Sequence, residues 1–223
     1  MRGLQYAFVF LFLLSLSVPP HVSAYEFEGI PILPKVFDPP YERNLYKHWI
    51  DADRDHEDTR QEVLIEESLI PAIVRTKPNG KQKVIDGLWL GVYTGFITTD
   101  PKDLQIDHMI PLKEVHISGG HAWDAKKKRN FANDLDHPQA LIAVKGGANQ
   151  SKGARDPASW MPPNRAYWCK YLADWVSVKK KWGLAMDIKE VDAIKKGRKV
   201  CKKYKSGEKL EEKMKNGRHK VNP

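Results

Sequence analysis

At 223 residues the chain is long enough to bury a real core, as one large domain or two small ones. It carries 37 Lys and Arg against 28 Asp and Glu, a formal charge of +9, which points to acidic partners: nucleic acid, anionic cell walls or acidic membrane surfaces. Past an N-terminal apolar run no stretch is apolar enough to span a bilayer, so a transmembrane anchor in the processed chain is excluded. Two cysteines without a CxxC spacing argue against a structural zinc site.

In chain order, Met1 and Arg2 make a minimal basic start, residues 6–18 are apolar, and Val22-Ser23-Ala24 offers a small-residue cleavage site. This predicts a signal peptide over 1–24, cut after Ala24, and a secreted protein. Losing Arg2 leaves a charge of about +8. In an exported chain Cys169 and Cys201 are expected to form one disulfide. Residues 25–45 hold Pro31, Pro34, Pro39 and Pro40 and read as an extended lead-in. A single domain is expected over 46–201, followed by a basic flexible tail over 202–223 that is poor in apolar residues.

The stretch 51–62 places Asp51, Asp53, Asp55 and Glu62 at positions one, three, five and twelve of a calcium-loop pattern, with Asp58 between. Position six, normally Gly for a sharp turn, is His56. The competing reading is an acidic turn before a helix over about 59–70, with Thr59 and Glu62 as a capping box. Residues 72–76 and 81–86 predict a hairpin around Pro78-Asn79-Gly80, and 88–93 a third strand with Trp89 and Tyr93 on one core-facing side. A helix over about 122–133 carries Lys126, Lys127, Lys128 and Arg129, either a solvated face or a clamp on a phosphate backbone. Asn164 opens a further helix in which Trp168, Tyr171, Leu172, Trp175, Val178 and Trp182 recur at core spacing until Gly183. A last helix begins near Asp187, with Ile188, Val191, Ile194 and Cys201 on one face.

The chemistry concentrates elsewhere. The run 104–108 ends in Asp107-His108 ahead of Pro111; the run 140–144 leads through Gly146-Gly147 to Asn149 and Lys152. Paired as strands, the two runs bring Asp107, His108 and Asn149 to one point. A carboxylate and an amide oxygen suit a hard divalent cation, Mg²⁺ or Mn²⁺, and a neutral imidazole suits activation of water. Lys152, one turn beyond Asn149, is expected near the phosphate, and Arg155 beside it as a brace and a further nucleic-acid contact.

These residues resemble the HNH, or ββα-metal, nucleases, and in particular secreted HNH proteins related to the C-terminal domain of GmrSD-type restriction enzymes. The resemblance runs from about residue 46 to 182, through His48-Trp49-Ile50-Asp51, Asp58-Thr59-Arg60, Tyr93-Thr94-Gly95, Asp107-His108, Phe131-Ala132-Asn133-Asp134-Leu135, Asn149-Gln150-Ser151-Lys152-Gly153 and Trp168-Cys169. It implies an α+β fold with a ββα-metal hairpin-helix core, an additional small antiparallel sheet and C-terminal helices. It implies Asp107 and Asn149 as metal ligands, His108 as general base, and a helix start near the site from which Arg60 contacts phosphate or forms a buried ion pair. An Asn often precedes the second strand in that family; Ala140 stands there in this chain, with Asn133 the nearest candidate. The expected function is a secreted metal-dependent endonuclease acting on DNA, with RNA as the other substrate, and with little sequence preference, since no helix-turn-helix or zinc finger is present. The other reading is a non-enzymatic secreted protein that binds calcium at the acidic loop and polyanions on its basic surface.

Overall fold

The computed structural model describes residues 25–201. The expected leader, the basic tail and the side chain of Cys201, and with it the expected disulfide, lie outside the described residues.

The lead-in opens with a minimal hairpin of β1 (Glu26–Phe27) and β2 (Ile30–Pro31), then runs extended to a 3-10 turn at Arg43–Leu45. Helix α1 (Thr59–Glu66) follows the acidic loop. Its cap is Asp58, which accepts from the amides of Arg60 and Gln61; Thr59, expected to cap, instead donates its hydroxyl to the Ile50 carbonyl and Asn133 Oδ1. Strands β3 (Ile73–Thr76) and β4 (Gln82–Asp86) form the expected hairpin, with Gly80 at φ 82°. Strand β5 (Trp89–Gly91) does not extend that sheet. It pairs with β6 (Phe96–Thr98), and at the turn before it the Trp89 ring packs so close to Gly87 that a Cβ there would meet it at 2.4 Å.

Strand β7 (Leu104–His108) stops before Pro111, and α2 (Leu112–Ile117) follows, a helix with no expectation from sequence. Its six residues are too few to show a period. Helix α3 (Ala125–Ala132), capped by Asp124, leads to β8 (Leu141–Lys145), which runs directly into α4 (Gly146–Lys152). Asn164 caps a 3-10 turn that continues as α5 (Trp168–Trp182), closed by Gly183 in the left-handed region. Helix α6 (Ile188–Cys201) packs against α5. Among the described residues the architecture is α+β, with four two-stranded antiparallel sheets set among helices.

The β7–β8 ladder separates two cores. Its register, Asp107 opposite Ile142 and His108 opposite Leu141, sends alternate side chains to opposite faces. Leu104, Ile106, Leu141 and Ala143 join Val63, Leu64, Val84 and Trp89 on one side; Ile142 and Val144 join Tyr93, Tyr171, Trp175 and the other helical aromatics on the other. That double burial is why β8 is apolar without a polar alternate. Each large side chain buried here contributes about 1.5–3 kcal/mol. Trp89 and Tyr93, expected on one side, sit in different cores because β5 ends between them. Ile188, expected with Val191 and Ile194 on the buried face of α6, is 54% exposed.

A buried ionic network ties the helices and the lead-in together. Lys179 of α5 donates to Glu114 of α2 (2.9 Å), Glu190 of α6 (2.8 Å), the Ser118 hydroxyl and the Ala185 carbonyl. Lys35 of the lead-in reaches the same region, at 2.9 Å from Glu114, 2.5 Å from Asp156 and 3.5 Å from Asp187. Burial alone would raise Asp156, but the Lys35 contact outweighs it and holds the carboxyl below its ordinary value.

Candidate active site

Strand β7, the start of α2, the second half of α4 with the residues after it, and the lead-in enclose a cleft of about 370 Å³. Its lining includes Asp107, His108 and Asn149, the three residues expected to converge, together with Tyr41, Arg43, Gln105 and Lys113.

Alternation along β7 gives Asp107 and His108 different surroundings. Asp107 is buried, and its Oδ2 accepts from the Tyr93 hydroxyl and from Lys152 Nζ, both at 2.6 Å. Oδ1 takes no protein hydrogen bond among the described residues. Asn149 lies on the same face, where its amide nitrogen donates to Gln105 Oε1 at 2.9 Å, which turns the amide oxygen the other way. Asp107 Oδ1 and the Asn149 oxygen are therefore two hard oxygen donors on one cleft, a set that fits Mg²⁺ or Mn²⁺ with the remaining positions open to water or phosphate.

His108 sits in an aromatic slot. Trp49 stacks on one neighbouring plane (5.7 Å, 29°), Phe131 on another (6.3 Å, 17°), and His48 meets it edge-on at 6.1 Å. His108 Nε2 lies 3.0 Å from the Ala132 carbonyl, which can only accept, so Nε2 carries the proton and Nδ1 is the lone-pair nitrogen. Burial pushes the imidazole down to about 3, with the charges of Lys152 and Arg43 acting in the same direction. The ring is neutral throughout the neutral range.

Asn133 builds that slot from a distance. Its Oδ1 accepts from the Ile50 amide and the Thr59 hydroxyl, and its Nδ2 donates to the carbonyls of Lys47 and Arg129. The segment 47–50 is thereby fastened to α3, with Trp49 held at φ 58°, a conformation that costs a bulky residue about 1–2 kcal/mol. Asn133, not Ala140, is the residue that fixes loop geometry here.

Several expected site residues are placed differently. Lys152 is fully buried, donating to Asp107, to the His108 carbonyl (2.8 Å) and to the Met109 carbonyl (3.0 Å); it braces the end of β7 and does not face the cleft. Burial holds its amine below the ordinary lysine value, opposed by Asp107. Arg60 does not line the cleft and forms no ion pair among the described residues: its guanidinium donates to the Pro101 and Leu104 carbonyls. Of the α3 cations, Lys126 and Arg129 are exposed, Lys127 lies 4.6 Å over the Trp123 ring, and Lys128 turns inward to the His121 carbonyl. None of the four lines the cleft. Arg155 closes over the end of α4, donating to the Lys152 carbonyl and the Ser151 hydroxyl.

The acidic loop gathers three of its expected ligands. Carboxylate oxygens of Asp51, Asp53 and Asp55 lie within 4.8 Å of one another, all on exposed residues. Asp58 serves as the α1 cap. Burial and the neighbouring acids raise Glu62 to about 7, and its Oε2 is buried without a partner. The turn reserved for Gly forms all the same, with His56 at φ 77° and Arg54 at φ 70°.

The aromatic slot and the lead-in's part in the cleft have no signature in the local sequence pattern. His48 and Trp49 stood out only as motif pieces, and Tyr41, Arg43 and Gln105 carried no signal of their own.

A relative from Arthroderma benhamiae, named an uncharacterized secreted protein, is 34% identical over 166 residues, spanning 74% of this chain and 78% of its own length. No solved structure matches the chain. No helix among the described residues is long and apolar enough to cross a membrane. Residues 47–197 match the GmrSD restriction endonucleases, C-terminal domain, and cover every residue of the ladder, α4 and the aromatic slot; the chain belongs to that family.

Proposed function

We propose that the protein is a secreted, metal-dependent endonuclease of the HNH, or ββα-metal, type that hydrolyses phosphodiester bonds of DNA, with RNA as the other substrate. The observation that carries this reading is the presence of Asp107, His108 and Asn149 on one cleft, on a strand pair that runs straight into a helix. Residues 46–201 form the nuclease unit, and the secreted relative agrees with export.

His108 Nδ1 takes the proton of the attacking water, while the Nε2–H bond to Ala132 keeps the lone pair on Nδ1. Trp49 and Phe131 restrict rotation of the ring. Asp107 Oδ1 and the Asn149 oxygen would hold Mg²⁺ or Mn²⁺, which would supply charge neutralisation for the phosphate and the leaving oxygen. Tyr93 and Lys152 fix the Asp107 carboxylate through its other oxygen. Lys126, Lys127 and Arg129 form a basic edge outside the cleft that adds affinity without reading sequence.

Supercoiled plasmid with Mg²⁺ or Mn²⁺ tests the reading. Nicking is expected from the wild type and lost in excess chelator and in His108→Ala. Nicking that survives either treatment rules the mechanism out. Calcium-dependent thermal stabilisation lost in Asp53→Ala, without cleavage of any nucleic acid, is the outcome that favours the binding-protein reading.

A further inference from the structure

Lys152, which the sequence placed at the phosphate, has its donors on Asp107 and two carbonyls. The cations that do line the cleft are Arg43 and Lys113, both exposed. Resting on the nuclease reading above, we propose that Arg43, carried in by the lead-in, is the cation that binds the phosphodiester in this cleft.

Arg43 is preorganised for that role, whereas Lys113 makes no side-chain hydrogen bond among the described residues. His48 Nδ1 donates to the Tyr46 carbonyl at 2.8 Å, which leaves His48 Nε2 to accept from Arg43 Nη2 at 3.3 Å. Tyr41 lines the same cleft beside it. His48 is a neutral acceptor, and Arg43 makes no ion pair among the described residues, so its charge is not neutralised by a protein carboxylate. A guanidinium with free donors meets two phosphate oxygens with a planar, preorganised fork, a geometry the point charge of a lysine lacks. The approach side is also right: His48 touches His108 edge-on, so Arg43 stands beside the base and on the same cleft as Asp107. Arg43 precedes the matched span of 47–197, and the ion pairs of Lys35 with Glu114 and Asp156 anchor the segment that carries it. The alternative is that Arg43 only props His48.

The experiment uses the secreted chain, a short labelled DNA duplex, and excess EDTA so that nothing is cut. Binding is followed by anisotropy across a salt series for wild type, Arg43→Ala, Arg43→Lys and Lys113→Ala, with thermal melts to confirm folding. Arg43→Ala is expected to bind about tenfold more weakly at low salt, with the log affinity–log salt slope shallower by about one. Arg43→Lys is expected to recover the slope and only part of the affinity. If Arg43→Ala matches wild type in affinity and slope, the proposal is overturned, even where cutting slows, and Arg43 is a prop for His48. A wild type that binds no duplex overturns it too. A wild type that binds but never nicks plasmid with Mg²⁺ or Mn²⁺ ends the nuclease reading and leaves the Arg43 result to stand on its slope.

Discussion

Lys152 Nζ lies 2.6 Å from Asp107 Oδ2, a fully buried ammonium bonded to a buried carboxylate across the gap between α4 and β7. The pair locks the helix to the strand end that bears the proposed ligand and base. Lys152→Met leaves Asp107 without its counter-charge and two carbonyls without their donor. Loss of one partner from such a pair costs about 3–5 kcal/mol. Urea unfolding of the two proteins measures it; a loss under about 1 kcal/mol contradicts the bracing role.

His108→Ala removes the proton acceptor and leaves a gap between Trp49 and Phe131. Plasmid nicking is expected to fall by about 10²–10⁴-fold, with far-ultraviolet circular dichroism unchanged. Asn133→Ala is expected to slow nicking as well, through release of the 47–50 segment, although Asn133 does not line the cleft.

Glu67 accepts from the Ala143 amide of β8 at 2.8 Å, and burial pushes it up to about 8 from an ordinary value of 4.5. Between those two values the unfolded chain releases a proton that the folded chain keeps, so stability falls as pH rises through the window. Glu67→Gln keeps an acceptor for Ala143 and has no proton to lose. Urea midpoints from pH 4 to pH 9 should decline less steeply for the variant. Parallel curves would show that Glu67 titrates normally in the folded protein.

His56 adopts φ 77° at the position where the calcium-loop pattern carries Gly. His56→Gly is expected to stabilise by about 1 kcal/mol, the steric cost of that conformation for a residue with a Cβ less the added freedom of the unfolded chain. A melting temperature at or below wild type would locate the strain elsewhere.

Lys35→Met leaves Glu114 and Asp156 facing each other without their shared cation. Lys35 is slightly open to solvent, so the cost is set at about 2 kcal/mol. Faster protease cleavage within 25–45 is the accompanying readout, and an unchanged cleavage pattern would show that the lead-in is anchored by other contacts.

The local pieces are written in short-range pattern. Strand β7 starts and stops where expected, because apolar residues ending in Asp107-His108 and Pro111 are a short-range signal. Helix α5 and its aromatic core follow from spacing along one helix, and Asn164 and Gly183 mark its ends. The family was also legible, since motif order survives without knowledge of contacts. What the side chains do follows from packing between distant segments. Lys152 is a brace because α4 packs its face into β7, 44 residues away along the chain. Arg60 lands on carbonyls because of where the turn at Pro101–Asp103 packs. His48, Trp49 and Arg43 come to His108 only because Asn133 and Lys35 fasten distant segments beside it. Burial and charge neutralisation at a given atom depend on neighbours far along the chain, and periodicity along one segment carries no record of them.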